Sequence, residues 1–199
     1  VIDQFTAPFT ATFFGTGFSA TLFQNIATSQ YTFAIRGTND TVADLVSADF
    51  GDIAIDGVAM DQLVDMYNYW QRLTTGAGQV YAAAKLDINL TETATLKALS
   101  QARLIGGPAA QIAYDAYLAS LKNSGAILDT TLLAGTLVRR IVRDNSGVLF
   151  AGTTLAFGSG KLTGATPQLD VVGHSLGGHL AAAFTRLFPL VPAQAVTVS

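Results

Sequence analysis

The 199-residue chain contains no cysteine, which excludes disulfides, thiolate-ligated metals and both common zinc-binding patterns. Only 13% of its residues are charged and the net charge is −3, which argues against nucleic acid as a partner. No apolar run approaches the roughly 20 residues that a membrane-spanning helix needs. A chain without cysteine fits a cytosolic protein as well as a bacterial secreted one, so composition leaves the compartment open.

Half of the residues are hydrophobic, and the mean hydropathy is +0.39. A chain of this length can bury one core but is too short for two ordinary domains, so we predict a single domain over residues 1–199. The chain begins at Val1 without a signal-like segment, and its last letters, "AQAVTVS", read as a strand cut short. Both features lead us to expect a processed or truncated chain.

The first third of the chain predicts strands followed by a helix. Residues 18–25 and 30–37 are rich in aromatic, β-branched and threonine residues, as strands are. Apolar residues recur at helical spacing from Met60 to Trp70, which predicts an amphipathic helix that ends before Gly76.

The last third predicts a strand over 169–173, a helix over 176–188 and a strand over 193–199, with short connections. Strands joined through a helix in this way lie parallel in one sheet. The sequence therefore predicts an α/β fold with helices on the faces of the sheet.

Residues 91–123 between these parts predict a pair of helices. Thr91 is the candidate N-cap of the first helix, Gly106 and Gly107 end it, and Pro108 suits the first turn of the second. The pair is rich in Ala, Leu and Tyr, and two alternatives stay open: it forms a lid or cleft wall, or it packs on the sheet.

The stretch "VVGHSLGGHLAAAF" places Ser175 in a G-x-S-x-G pattern between a predicted strand and a predicted helix. A sharp turn there would strain the serine backbone and expose its hydroxyl, and a Cβ on the flanking Gly173 or Gly177 would collide with the strand and helix. The helix N-terminus favours an anion, so the N–H of Leu176 could donate to a developing oxyanion. We predict Ser175 as a nucleophile; the plainer alternative is a glycine-rich turn with an incidental serine.

The same stretch resembles the nucleophile elbow of the α/β-hydrolase lipases, especially the class 3 lipases and the bacterial extracellular lipase and phospholipase A1 relatives. "FAIRGT" (33–38) resembles the Arg-Gly-Ser/Thr segment of class 3 lipases. The resemblance implies an α/β-hydrolase fold with a mostly parallel central sheet flanked by helices, truncated after the strand that follows the nucleophile helix. It also implies a second oxyanion donor at Thr38, through its backbone N–H with its hydroxyl as a further candidate, and a structural role for His174.

A serine nucleophile needs a base and an acid, and in this family they follow the serine along the chain. After Ser175 the chain has only His179 and no Asp or Glu. His179 lies one helical turn further on and would lean toward the backbone of Ser175, so we interpret it as a helix-face or packing histidine. Asp170, inside the predicted strand, is interpreted as structural. We therefore expect a C-terminal polypeptide of the same protein to supply the Asp and the His.

The resemblance implies no required cofactor. Four acidic residues in one predicted loop leave a structural calcium open: Asp44, Asp49, Asp52 and Asp56. Their spacing does not fit an EF-hand, and a solvated acidic loop is the plainer interpretation.

Together these features predict a serine carboxylic-ester hydrolase that acts on lipid-like esters through an acyl-enzyme on Ser175. Four alternatives stay open: a phospholipase A1, a polyester or short-chain esterase, an inactive proteolytic fragment, and an interaction module built on the same fold. The resemblance further implies secretion and transient contact with a lipid interface, and no nucleic-acid partner is expected.

Overall fold

The protein is described by a computed structural model over six stretches of the chain: 1–6, 18–36, 60–131, 135–150, 154–163 and 168–198. The chain divides into two compact units. The sheet unit comprises Val1–Ala84 and Arg143–Ser199, and the hairpin unit comprises Lys85–Val142.

The described elements follow one another in a mixed α/β order. They are β1 (Asp3–Thr6), β2 (Ser19–Gln24), β3 (Tyr31–Arg36), α1 (Met60–Thr74), β4 (Ala83–Ile88), α2 (Leu90–Ile105), α3 (Gly107–Asn123), β5 (Ile127–Thr131), β6 (Gly135–Asp144), β7 (Val148–Phe150), β8 (Thr154–Leu155), β9 (Leu169–His174), α4 (Leu176–Leu187) and β10 (Ala193–Val198). None of these helices combines the length and the apolar character that crossing a bilayer requires. The order of strands and helices confirms the predicted α/β class.

The main sheet of the sheet unit has the strand order β1-β2-β3-β9-β10. The pairs β3–β9 and β9–β10 are parallel, as the strand-helix-strand pattern predicted, whereas β1–β2 and β2–β3 are antiparallel. Over the described strands the sheet is thus mixed rather than mostly parallel. The β2–β3 pair is antiparallel because a short link joins the two strands, whereas a parallel pair needs a crossover of a dozen or more residues.

A tight turn closes the β2–β3 hairpin. The N–H of Asn25 donates to the carbonyl of Gln30 at 2.8 Å, and the Asn25 side chain accepts from the N–H of Ala27 at 2.9 Å. Ser29 in this turn has a φ of 57°. The turn fixes the register in which Leu22 and Phe33 face each other in the core.

The core of the sheet unit lies between the sheet and the helices α1 and α4. Aromatic rings occupy its centre: the ring of Phe184 lies 4.8 Å from that of Trp70, edge to face, and 5.5 Å from that of Phe33. Edge-to-face pairs of this kind add to the stabilisation that burial alone provides. Both helices are therefore held firmly on the sheet.

Asn68 of α1 binds both backbone groups of Ala84, the last residue of the sheet unit before the chain enters the hairpin unit. The Asn68 Nδ2 donates to the Ala84 carbonyl at 2.9 Å, and the Ala84 N–H donates to Asn68 Oδ1 at 2.8 Å. The amide thus acts as a neighbouring strand would, and it fixes the first residues of β4 in place.

The hairpin unit contains a three-stranded sheet, β4-β6-β5, and the helices α2 and α3. A small core joins them, formed by Leu96, Leu121 and Val138. As predicted, α2 ends at Gly106 and Pro108 lies in the first turn of α3.

The prediction of Thr91 as the N-cap of α2 is wrong. The cap is Asn89, whose Oδ1 accepts a hydrogen bond from the Glu92 N–H at 3.0 Å, and the helix begins at Leu90. Asn is a stronger N-cap than Thr, and Glu92 occupies the third helical position, as in a capping box. Thr91 therefore lies inside the first turn.

Candidate active site

Ser175 lies between the end of β9 and the start of α4, and its side chain is exposed. Its backbone has φ 53° and ψ −124°, a combination that a residue with a Cβ rarely adopts. Strain of this kind costs about 1–3 kcal/mol and persists only where the surrounding structure enforces it. The strained, exposed turn that the sequence predicted at Ser175 is therefore present.

Close packing of backbone against backbone enforces this turn. A Cβ added at Gly173 would overlap the carbonyl oxygen of Gly177 and lie 2.7 Å from the nitrogen of Gly178. The collision predicted for a flanking glycine is thus confirmed at Gly173. Any side chain there would push α4 away from β9 and move Ser175.

Gly178 is a second tight position, which the sequence analysis did not single out. A Cβ there would lie 3.3 Å from the carbonyl oxygen of Gly173 and 3.3 Å from the Cβ of Thr197 in β10. The doubled glycine in "LGGH" was the signal that could have revealed it. The start of α4 therefore lies close to both parallel strands.

At the N-terminus of α4, next to Ser175, backbone N–H groups are left without an acceptor inside the helix. The first turn closes on the Ser175 carbonyl, which accepts from the N–H of Gly178 at 2.9 Å and from that of His179 at 3.4 Å. The N–H groups of Leu176 and Gly177, one turn ahead, have no partner within the helix. The Ser175 side chain makes no capping bond, so its hydroxyl is not used to hold the helix.

Neither histidine forms a hydrogen bond with the Ser175 hydroxyl in this structure. The His179 Nδ1 lies 3.4 Å from the carbonyl oxygen of Ser175, the backbone contact that was predicted, and its ring is exposed. His174 ends β9, pairs with Val198 of β10 and is also exposed. Among the described residues, no hydrogen bond joins the Ser175 hydroxyl to an imidazole.

Asp170 lies near the opposite end of β9. Its Oδ2 accepts a hydrogen bond from the Nε2 of Gln30 at 2.8 Å, which ties the β2–β3 turn to β9. Five residues of strand separate it from Ser175, or about 16 Å. This contact fits the structural role predicted for Asp170.

Thr38 and the acidic residues considered for calcium, Asp44, Asp49, Asp52 and Asp56, lie outside the described residues. The strand that leads toward Thr38 is described: β3 ends at Arg36, and Ile35 lies opposite Gly173 in the parallel pair with β9. The chain thus leaves β3 at the same edge of the sheet as Ser175. In the described stretches, no group of three or more His, Asp or Glu side chains could hold a metal ion.

Comparison of the chain with protein-family models, with curated proteins and with solved structures finds no match in any of the three. Function must therefore be inferred from Ser175 and its surroundings.

Proposed function

We propose that this chain carries the nucleophile of a serine carboxylic-ester hydrolase with an α/β-hydrolase fold, and that its substrates are lipid-like esters. One observation carries the proposal: Ser175 is exposed, has φ 53° at a strand-to-helix junction and does not cap the helix that follows it. Packed glycines hold it there at a cost in free energy, and such strain is concentrated at functional sites.

In the proposed reaction the Ser175 Oγ attacks the acyl carbonyl carbon of the ester. The carbonyl oxygen becomes negative and accepts hydrogen bonds from backbone N–H groups, that of Leu176 first. A single donor of this kind typically accelerates such a step by about 10²–10³-fold. The alcohol then leaves, the acyl group stays on Ser175, and water releases the acid.

Thr38 is the proposed second donor to the oxyanion, through its backbone N–H. The arrangement of the sheet supports this role, since β3 runs parallel to β9 with Ile35 opposite Gly173. Two residues beyond Arg36, Thr38 follows the strand next to the one that ends at Ser175. Donors from two different loops converge on one oxygen in this way in α/β-hydrolases.

The acid and the base are proposed to come from a further polypeptide of the same protein. A serine hydroxyl is a weak nucleophile unless a base takes its proton. His179, four residues after the serine, contacts the carbonyl of Ser175 rather than its hydroxyl. A histidine that approaches from outside the described residues, oriented by an Asp, would complete the site.

The lipid-like substrate, secretion and independence from cofactors are proposed from the resemblance to class 3 lipases. The same nucleophile would serve a phospholipase A1 or a polyester or short-chain esterase. Initial rates on p-nitrophenyl esters from acetate to palmitate distinguish a short-chain esterase from an enzyme that prefers long acyl chains. We expect rates that rise with chain length, and a maximum at acetate would contradict the lipid-like substrate.

Labelling with a fluorophosphonate tests the nucleophile. We expect one label on Ser175 by intact mass and peptide mapping, lost in Ser175→Ala. Ser29→Ala is the matched control, because Ser29 is also an exposed serine with positive φ but lies in a hairpin turn. It should leave the labelling unchanged.

The experiment includes both the 199-residue chain and the longer protein expected to contain it. Labelling of the longer protein alone supports a base outside this chain. Labelling of the short chain to the same extent assigns the base to this chain and contradicts the external base. If Ser175 is labelled in neither, the nucleophile proposal is wrong.

A further inference from the structure

Three donors meet at one backbone oxygen beside the proposed nucleophile. The carbonyl oxygen of Ser175 accepts from the N–H of Gly178 at 2.9 Å and from that of His179 at 3.4 Å, and the Nδ1 of His179 lies 3.4 Å from the same oxygen. A backbone carbonyl can only accept hydrogen bonds, so Nδ1 carries a proton in this contact. The contact therefore selects one tautomer of a histidine whose ring is exposed.

This oxygen belongs to the same peptide group as the proposed oxyanion donor. The Ser175 carbonyl and the Leu176 N–H share one planar trans peptide bond, in which the C=O and the N–H point in opposite directions. The carbonyl points into the first turn of α4, where the N–H of Gly178 binds it. The Leu176 N–H therefore points away from that turn, and any group that holds the carbonyl also sets the direction of this donor.

The strained backbone of Ser175 favours a rotation of this peptide group. Its φ of 53° and ψ of −124° are a costly combination, and ψ is the rotation that orients the peptide group between Ser175 and Leu176. A relaxation of ψ would turn the Leu176 N–H away from its present direction. The close packing at Gly173 holds the path of the chain, whereas hydrogen bonds to the Ser175 carbonyl resist the rotation of the peptide group itself.

A hydrogen bond to the carbonyl also strengthens the N–H of the same peptide group. Each bond in such a chain polarises the next, so a peptide group whose oxygen accepts becomes a better donor at its nitrogen. An oxyanion that forms at the Leu176 N–H would in turn strengthen the bond between His179 and the Ser175 carbonyl. The contact therefore stabilises the transition state more than the bound ester, which is the condition for a faster reaction.

We propose that His179 is a positioning residue for the oxyanion donor: its Nδ1–H holds the Ser175 carbonyl and thereby keeps the Leu176 N–H directed at the developing oxyanion. His179 touches neither the ester nor the Ser175 hydroxyl in this role, and it acts only through the peptide group between Ser175 and Leu176. The inference rests on the proposed function, because it concerns the donor to the oxyanion of that reaction.

Two variants of the same shape test the proposal. In His179→Asn the Nδ2 of the amide takes the place of the histidine Nδ1 and can donate to the Ser175 carbonyl, whereas in His179→Leu a methyl group occupies that place and cannot donate. The position is exposed, so both variants should keep the circular dichroism spectrum of the parent. A difference between them therefore reports the donor and not the bulk of the side chain.

The first measurement is kinetic. We expect His179→Leu to lower kcat on a p-nitrophenyl ester, and the rate of fluorophosphonate labelling of Ser175, by about five- to tenfold, the equivalent of one ordinary hydrogen bond. KM should stay within about twofold of the parent value, because the donor acts on the transition state. His179→Asn should retain both rates within about threefold. The rates are measured on the longer protein if only that form is labelled.

The matched control is Thr185→Val in the same helix. The Thr185 hydroxyl donates to the carbonyl of Ala182 at 2.9 Å, so this variant also removes a bond from a side chain to a backbone carbonyl of α4. That carbonyl belongs to a peptide group that is not part of the proposed site. We expect both rates to stay unchanged, and a loss equal to that of His179→Leu would overturn the positioning role in favour of a general effect on the helix.

The second measurement does not depend on catalysis. The chain has two histidines, and nitrogen-15 spectra of their rings show which nitrogen of each carries the proton. At about pH 8.5, where an ordinary imidazole is neutral, we expect the Nδ1–H tautomer for His179, assigned by the loss of its signals in His179→Asn. The amide nitrogen of Leu176 should shift in His179→Leu and return toward the parent position in His179→Asn. An Nε2–H tautomer at His179 would contradict the bond.

The outcomes separate this inference from the proposed function. If Ser175 is labelled in the parent and equally fast in His179→Leu, the positioning role is wrong and the nucleophile stands. A loss of about 10³-fold or more in both His179 variants would make His179 the base and overturn the positioning role. If Ser175 is not labelled in the parent, the proposed function is wrong and this inference falls with it, even where the ring spectrum shows the bond.

Discussion

The two units bury their helices to very different extents. In the sheet unit, α4 has 12 residues and buries six of them, whereas α2 and α3 have 16 and 17 residues and each buries a single one. The strained residue Ser175 lies in the densely packed unit, at the start of α4. The strained backbone of Ser175 is thus kept in the unit whose helix buries many residues. The helices of the hairpin unit contain no non-glycine residue with positive φ, and most of their side chains are exposed or half-buried.

The largest expected effect is on the core that supports Ser175. Phe184→Ala removes a fully buried ring that contacts Phe33, Trp70 and Phe188. We expect it to lower the free energy of unfolding of the sheet unit by about 3–5 kcal/mol, through lost burial and the cavity left behind. Denaturant unfolding followed by Trp70 fluorescence measures the change.

Leu96→Ala in α2 is the matching change in the hairpin unit. Its core has three buried residues, which can close around a small cavity, so we expect about 2 kcal/mol, the low end of the range for such substitutions. Hydrogen exchange, resolved by peptide, assigns each loss to its unit. Equal losses in both units would contradict the contrast in packing.

A second comparison is between Gly173, where an added Cβ would clash with neighbouring backbone, and Gly107, where only the positive φ disfavours a side chain. In Gly173→Ala the new methyl group meets the backbone of Gly177, so we expect a loss of about 2–3 kcal/mol from overpacking. Because α4 must move, labelling of Ser175 by fluorophosphonate should also slow at least tenfold. Both are measured on the longer protein if only that form is labelled.

Gly107→Ala is the control in the hairpin unit. Gly107 has a φ of 66° and nothing within 4 Å of an added Cβ, so only backbone strain of about 1–2 kcal/mol is expected. Labelling of Ser175 should not change. Unaltered labelling in Gly173→Ala would show that the packing of Gly173 does not position the serine.

Alkaline pH should weaken the sheet unit through its buried tyrosines. Burial raises the pKa of Tyr81 to about 12, and burial, followed by the nearby charge of Asp3, raises the pKa of Tyr69 still further. A tyrosine in the unfolded chain titrates near pH 10, so between pH 10 and pH 12 the unfolded state loses its protons first. Stability due to these groups is thus complete below pH 10 and falls as the pH rises toward 12.

Tyr81→Phe isolates one of these groups. The variant cannot ionise at this position, so its unfolding midpoint in urea should fall less steeply than that of the parent between pH 10 and pH 12. Parallel pH profiles for the two proteins would contradict the contribution of Tyr81.

The smallest effect expected is at the start of α2. Asn89→Ala removes the cap on the Glu92 N–H and should cost about 1 kcal/mol, whereas Thr91→Ala should stay within about 0.5 kcal/mol. Amide exchange in the first turn of α2 measures both. A larger loss in Thr91→Ala than in Asn89→Ala would reverse the assignment of the cap.

Much of the sheet unit was predictable from sequence, because its signals are local. The strands around 18–25 and 30–37, the helix that begins at Met60 and the strand-helix-strand unit around Ser175 are all observed close to their predicted bounds. The glycine and serine pattern also predicted the strained turn, because only glycine fits where the backbone of β9 packs directly against that of α4.

The mixed sheet and the second unit were not predicted, because they depend on contacts between distant residues. Local propensity does not say that β3 pairs with β2 on one side and with β9 on the other. The cap at Asn89 was missed by two residues, a small error since Asn and Thr both suit the position. The oxyanion role of Thr38 and the source of the base stay predictions.

The chain passes from the sheet unit to the hairpin unit inside β4 and returns inside β6, and these two strands are neighbours in one sheet. In the path of the chain, the hairpin unit is thus a single excursion between two segments of the sheet unit, and Asn68 binds Ala84 at the point where that excursion begins. The order of the strands and helices that position Ser175 does not depend on the sequence of that excursion. We therefore expect related sequences to differ more in length and composition over residues 85–142 than over the strands on either side of the serine turn.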